Sequence, residues 1–387
     1  MLLGSRIEPR PTSSAHNFWL NMIPAIAKDV DQLVIASIGG GASRGVIDGV
    51  KFVNMTPFPL QLAYSNRTTG NVRLESNYVF KTMLLGNAFP MIAKLVRRHQ
   101  IDLVHVIDNY GPIQVGFSLV KAAKTIFQLN YNPRYPLYDE LIKLSLKPFD
   151  AVITGSFALA RRLRELGVSA RCEPIPWAIS PNLLANPTAN TLELRKRFRL
   201  DPKLPVVMWT GFIPLVGTRE FLFSMRVAKR VTAEFRNVQF IFAFKSEHFD
   251  SEYKSFEEQR IRVISLNSRT DFLKLAHVST LLLCPCLNDR AIVGPPLTWL
   301  ESMAHGVPVI STQVEGIDEV ILNDVNGIVL RETENAHATI LKLLHDPRKI
   351  ERLSFAARET VRKKFELPSA LKAYLRIWSF ILDGAAS

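Results

Sequence analysis

The chain has no apolar run long enough to cross a bilayer. Its most apolar long stretch, residues 78–96, is broken by Lys81, Pro90 and Lys94, whereas a spanning helix needs about 20 apolar residues in succession. Cysteine is scarce. Cys172, Cys284 and Cys286 are an odd number with no metal-ligand spacing, which excludes a disulfide framework or zinc ribbon and reads as reduced thiols of a cytosolic protein. The opening Met1-Leu2-Leu3-Gly4-Ser5-Arg6 is too short in apolar residues for a signal peptide and reads as a first strand feeding a loop. Acidic residues are outnumbered, 35 against 48 basic, for a net charge of +13. Residues 1–178 hold 20 basic and 12 acidic side chains, a surplus of 8, and the remainder 28 and 23, a surplus of 5. An anionic membrane surface or a phosphorylated acceptor fits that balance. Nucleic acid is not an expected partner, because no zinc pattern, RNA-binding aromatic motif or basic zipper accompanies the charge.

What is present is enough apolar material for two cores: 47% of 387 residues are hydrophobic, and a chain of this length divides into domains. Apolar runs suited to buried parallel strands recur at Leu33 to Ile38, Leu103 to Ile107, Lys124 to Leu129 and Ala151 to Thr154. Helical patterns lie between them, at Asn17 to Lys28, Val79 to His99, Gly116 to Ala123 and Phe157 to Leu166, the last ended by Gly167. Alternation of this kind predicts a doubly wound α/β domain. The loop Pro9 to Ser14, with Ser13 and Ser14, follows the first strand and so belongs at the carboxyl edge of the sheet, where such folds bind ligands. Asp108 and Asn109, past the strand that carries His105, are acceptor-contact candidates, while His105 itself reads as a core histidine. Asp29-Val30-Asp31 has a metal-binding spacing but falls between a helix and a strand, away from that edge, and reads as a solvated pair. Pro174 to Pro187 is the expected linker.

The stretch from 291 to 330 carries the most chemistry. Gly294, Pro295 and Pro296 make a turn, with Pro296 at the first helical position, and a short helix follows over Leu297 to Ala304. Gly306 supplies its left-handed stop and Val307 to Ile310 reads as the next strand. The start of this helix, at Leu297 and Thr298, directs free N–H groups and a positive dipole end to where a phosphate can sit. Glu301, a carboxylate on an otherwise mostly apolar element, can accept two hydrogen bonds from the vicinal hydroxyls of a ribose.

The run Leu300-Glu301-Ser302-Met303-Ala304-His305-Gly306-Val307-Pro308-Val309-Ile310, with Gly316-Ile317-Asp318-Glu319-Val320 and Asn326-Gly327 behind it, resembles the donor-binding region of family-four glycosyltransferases. Residues 149–168 resemble the last strand and helix of that family's N-terminal domain, and the likeness extends over nearly the whole chain. It implies the GT-B architecture: two Rossmann-like domains facing a cleft, residues 1–178 on the acceptor side and 179–369 on the donor side, with 370–387 packing back on the first. It implies retaining sugar transfer from a nucleotide-diphosphate donor to a hydroxyl acceptor, such as a lipid-linked or polysaccharide one, without a bound metal or other cofactor. The expected setting is the cytoplasm, peripheral on the inner face of the membrane.

By the same resemblance Glu301 is the second of two family glutamates, and the first falls on Val293. Phe212 and Val216, after Gly211, stand where the family places an arginine and a lysine on the donor diphosphate. Gln128 lies near the place of a family histidine close to the reacting sugar and, unlike it, cannot carry a proton. Leu266 and Asn267 match the loop whose backbone contacts the nucleotide base. Lys245, ending a predicted strand at the same edge as Gly211 and Gly294, is the best replacement for the absent cations, ahead of Arg219 and Arg290. These departures leave two alternatives open: a degenerate homologue that binds a nucleotide or partner, and an enzyme using a lipid-monophosphate sugar.

Overall fold

The computed structural model describes residues 1–5, 14–38, 45–47, 50–55, 89–107, 123–129, 138–180, 190–211, 218–245, 251–287, 296–331 and 333–384. They form two compact units, Met1–Trp177 with Pro368–Ser387, and Ala178–Leu367.

The first unit is built on strands β1 (Leu2–Ser5), β2 (Val34–Ile38), β3 (Gly45–Ile47), β4 (Val50–Met55), β5 (Leu103–Val106), β6 (Lys124–Leu129), β7 (Ala151–Thr154) and β8 (Arg171–Pro174). They are ordered β3-β4-β2-β1-β5-β6-β7-β8, and every pairing is parallel except β3 with β4. One face packs Val104, Val106, Phe127, Leu129 and Val152 against Ile92, Val96, Ile142, Leu146, Leu159 and Leu163 of three helices. The other face is aromatic. Trp19, on the Ser14–Ile26 helix, meets Tyr374 at 5.1 Å between ring centroids, and Trp378 meets His105 on β5 at 5.7 Å. Tyr374 and Trp378 belong to the Leu367–Leu382 helix, whose buried Ala370, Tyr374, Ile377, Trp378 and Ile381 recur at helical spacing. A sheet covered on both faces has continuous apolar strands, which is why its central members were readable as runs.

Three strands were not foreseen. β3 and β8 are the short edge strands and β4 lies next to β3, and at such margins half-solvated strands carry mixed sequences such as Arg-Cys-Glu-Pro. Pro174 therefore ends a strand rather than opening a linker, and an edge strand tolerates proline because its missing donor is not needed. Ser14 is likewise the first residue of a helix and not the end of a loop. The predicted helix Gly116 to Ala123 lies outside the described residues save Ala123, as does the first part of Val79 to His99, whose remainder is helical over 89–98. The Phe157–Glu165 helix starts at the Ser156 cap, whose Oγ accepts from Leu159 N at 3.2 Å, and is closed off by Gly167 at φ 77°.

The second unit carries β9 (Val206–Gly211), β10 (Gln239–Lys245), β11 (Ile261–Leu266), β12 (Leu281–Leu283), β13 (Val309–Thr312) and β14 (Gly327–Leu330), all parallel in the order β11-β10-β9-β12-β13-β14. This is the strand order of a dinucleotide-binding sheet, whose direction of winding reverses between β9 and β12. Its core centres on Phe221, whose ring lies 5.6 Å from Trp209, 5.6 Å from Phe242 and 5.4 Å from Phe244. β13 starts two residues later than expected, because Pro308 has no N–H for the ladder and contributes only its carbonyl, to Leu282 N at 3.0 Å.

Candidate functional site

In an open parallel sheet, ligands bind outside the carboxyl ends of the strands at the point where the winding reverses. Here that point lies between β9 and β12, so the residues leaving Gly211 and Leu283 flank it. Register aligns Gly211 with Phe244, and Lys245 with Leu266, bringing the ends of β9, β10 and β11 level at one edge. Gly211, Lys245, Leu266 and Asn267, chosen from sequence, are thus at one edge of one sheet. Phe212, Val216, Val293, Gly294 and Pro295 in this unit, and Ser13, Asp108 and Asn109 in the first, lie outside the described residues.

Packing alone disfavours a side chain at Gly211. A Cβ there would come within 2.5 Å of Cζ2 of Trp209, a side chain 2% exposed and enclosed by aromatic rings. The two segments at the reversal are tied together by Glu220, in the first turn of the Thr218–Glu234 helix, whose Oε1 accepts from Leu287 N at 3.2 Å. Thr312, ending β13, holds the same turn by accepting from Cys286 N at 2.9 Å.

The helix of the central motif spans Leu297–Ala304 as expected, but Pro296 is its cap and not its first turn. With ψ at 131° Pro296 is extended, and its carbonyl accepts from Trp299 N at 2.8 Å. The element is buried almost all round, only Thr298 being partly exposed, so Glu301 was brought into a packed position. Its side chain is 3% exposed and meets Arg269, whose Nε donates to Oε1 at 2.6 Å while Nη2 lies 2.5 Å from the same oxygen. Arg269 opens the Arg269–Val278 helix, two residues beyond Asn267. No sequence signal marks it: 32 residues separate the partners, and only the sheet brings their helices side by side. His305, which closes the Leu297–Ala304 helix, is pulled down to about 4 by burial, with His277 and Arg358 adding to the effect. Arg358 donates to its carbonyl oxygen at 3.2 Å.

Gln128 requires a correction. It is 1% exposed, in the aromatic layer beneath the C-terminal helix, where its amide is the polar neighbour of the His105 ring and the Tyr374 phenol. Strand β6 alternates its side chains, so Phe127 and Leu129 fill one core and Gln128 the other. Its place in the first unit's core layer makes it the polar neighbour of a buried histidine and tyrosine, a different role from the one beside the reacting sugar that its family position implies. Asp29 and Asp31, by contrast, are exposed in a turn, and among the described residues no group of three metal-binding side chains occurs.

Residues 205–346 match the family model described as glycosyl transferases group 1. Over 348 residues the chain is 31% identical to the N-acetyl-alpha-D-glucosaminyl L-malate synthase of Bacillus anthracis, covering 84% of this chain and 87% of that one. The chain belongs to the group 1, family-four glycosyltransferases. Its fold is that of the family's GT-B structures. Sucrose-phosphate synthase from Thermosynechococcus elongatus superposes with a TM-score of 0.75 at 14% identity over 97% of each chain. The Anabaena HepE protein in complex with UDP-glucose does so with a TM-score of 0.72 at 12% identity, over 98% of this chain and 99% of that one. The glycosyltransferase motif around Glu301 thus lies in the second of two Rossmann-like units, at the edge where this architecture takes its ligands.

Proposed function

We propose that this glycosyltransferase moves a sugar from a nucleotide-diphosphate donor to a hydroxyl acceptor with retention of anomeric configuration, using the carboxyl edge of the second sheet for the donor. The observation that carries the reading is the buried Glu301 carboxylate on the helix that leaves the winding reversal, inside the family's donor motif. A carboxylate there holds ribose hydroxyls, and the backbone at Leu266 and Asn267 borders the base. Charge on the departing diphosphate is met by N–H groups at the Leu297–Thr298 helix start, next in sequence to Gly294, Pro295 and Pro296, and by Lys245. No metal enters this account. Ser13, Ser14, Asp108 and Asn109 of the first unit are assigned to the acceptor. The binding of UDP-glucose by a protein of the same fold supports a nucleotide-linked donor.

The test is incubation of the purified protein with radiolabelled nucleotide sugars and a lipid extract, scoring hydrolysis and transfer. Release of sugar from at least one donor is expected, and inertness toward the whole panel refutes the enzymatic reading. The uncharged Phe212 and Val216 favour, as second reading, a homologue that binds a nucleotide without transferring sugar, or one that uses a lipid-monophosphate donor. Nucleotide binding without turnover would select the former, and transfer from the lipid fraction alone the latter.

A further inference from the structure

We propose that Arg269 is the positioning residue that orients Glu301 for a vicinal diol, making ribose recognition depend on the segment that follows β11. This rests on the assignment of Glu301 to the ribose, and adds to it a residue from a different helix.

Three observations converge. Glu301 is 2% exposed, and a carboxylate so placed must have a partner, since removing water from an ion costs several kcal/mol. Arg269 supplies that partner with two nitrogens on one oxygen, Nε at 2.6 Å and Nη2 at 2.5 Å. Two donors of one rigid guanidinium converging on a single oxygen anchor Oε1 in place and direction, which the single ammonium of a lysine does less closely. Second, Arg269 opens a ten-residue helix, where the dipole disfavours a cation. Ser268 already caps that helix, accepting from Asp271 N at 3.1 Å, and Asp271 is engaged by Arg197 at 2.5 Å. The helix therefore gains nothing from an arginine at its start, and the position answers to Glu301. Third, the helices of Arg269 and of Glu301 both begin at the carboxyl edge of the same parallel sheet. One short segment, residues 266–269, thus offers backbone to the base and, through Arg269, sets the group that holds the ribose.

The experiment compares binding of UDP with 2′-deoxy-UDP, and of GDP with 2′-deoxy-GDP, by calorimetry to the full-length wild-type protein and to Glu301→Gln, Arg269→Lys and Arg269→Gln. The wild type should prefer the ribonucleotide by about tenfold or more, the worth of a hydrogen bond to a charged group. Arg269→Gln should bring that ratio to near unity, and Arg269→Lys, which keeps the charge and loses the fork, should leave it intermediate. Arg269→Lys serves as the sole probe if Arg269→Gln does not fold. A purely structural arginine would weaken both nucleotides alike and leave the ratio unmoved. Loss of the ratio in Glu301→Gln with its retention in both Arg269 variants overturns the positioning role while the ribose assignment stands. Retention in Glu301→Gln, or no nucleotide binding by the wild type, overturns both.

Discussion

Lowering the pH from 7 to 5 should destabilise this protein through His105, and the size of the loss follows from where that ring sits. His105 is 1% exposed and is surrounded by Trp19 at 5.2 Å, Trp378 at 5.7 Å and Tyr374 at 5.8 Å between ring centroids. Neither ring nitrogen has a hydrogen-bond partner of good geometry among the described residues. Burial holds its pKa down at about 3, from an ordinary 6.5, a depression only partly opposed by the nearby Gln128 amide. Above pH 6.5 the ring is neutral in folded and unfolded chains alike and its full contribution is present. As pH falls below 6.5 the unfolded chain takes up a proton that the folded chain refuses, so stability is lost progressively down to about 3. Each pH unit in that window is worth about 1.4 kcal/mol, which makes the loss at pH 5 about 2 kcal/mol. The assay is guanidinium unfolding of the full-length protein followed by tryptophan fluorescence at pH 7 and pH 5, for wild type and His105→Phe. Phenylalanine keeps an aromatic ring in the cage and cannot titrate. His305, also depressed, to about 4, adds a loss of the same sign in both proteins and cancels in the comparison. The wild type should lose about 2 kcal/mol more than the variant between the two pH values, and equal losses would refute the reasoning.

Gly211→Ala should lower the melting temperature, because the new Cβ is driven into the Trp209 ring, and overpacking of this kind costs about 1–3 kcal/mol; an unchanged melting temperature would show that the ring yields. Lys245→Ala should reduce turnover far more than Arg260→Ala, since Lys245 ends β10 at the ligand edge while Arg260 precedes β11 at the opposite one. Equal rates in the two variants would remove Lys245 from the reaction. Anionic liposomes should sediment the protein and neutral ones should not, given the exposed Lys94, Arg97, Arg98 and Lys147 and the 55% exposed Leu144 of the first unit, with each cation near such a surface worth about 1 kcal/mol. Equal recovery with both vesicle types would exclude an electrostatic attachment.

The central strands and several helix ends were legible in the chain because their physics is local. A strand buried on both faces must be apolar throughout, as Ala151–Thr154 and Lys124–Leu129 nearly are, and Gly167 and Gly306 stop helices because they carry positive φ at no steric cost. The family motif around Glu301 was legible for the same reason, being one continuous run. Edge strands such as β3 and β8 were not, since a half-solvated strand needs no apolar pattern and is defined only by its neighbour. Nor was the environment of any polar side chain. Gln128 looked like a group for the sugar until its strand's alternation, and the helix that returns from residues 367–382, sealed it against His105 and Tyr374. Glu301 was a candidate from sequence, but its partner Arg269 was invisible, because an ion pair across 32 residues exists only once two helices have been set side by side by the sheet beneath them. Sequence determines which segments must be buried and where they turn; the closed packing of helices on each sheet decides which polar atoms face one another, and so what the site can hold.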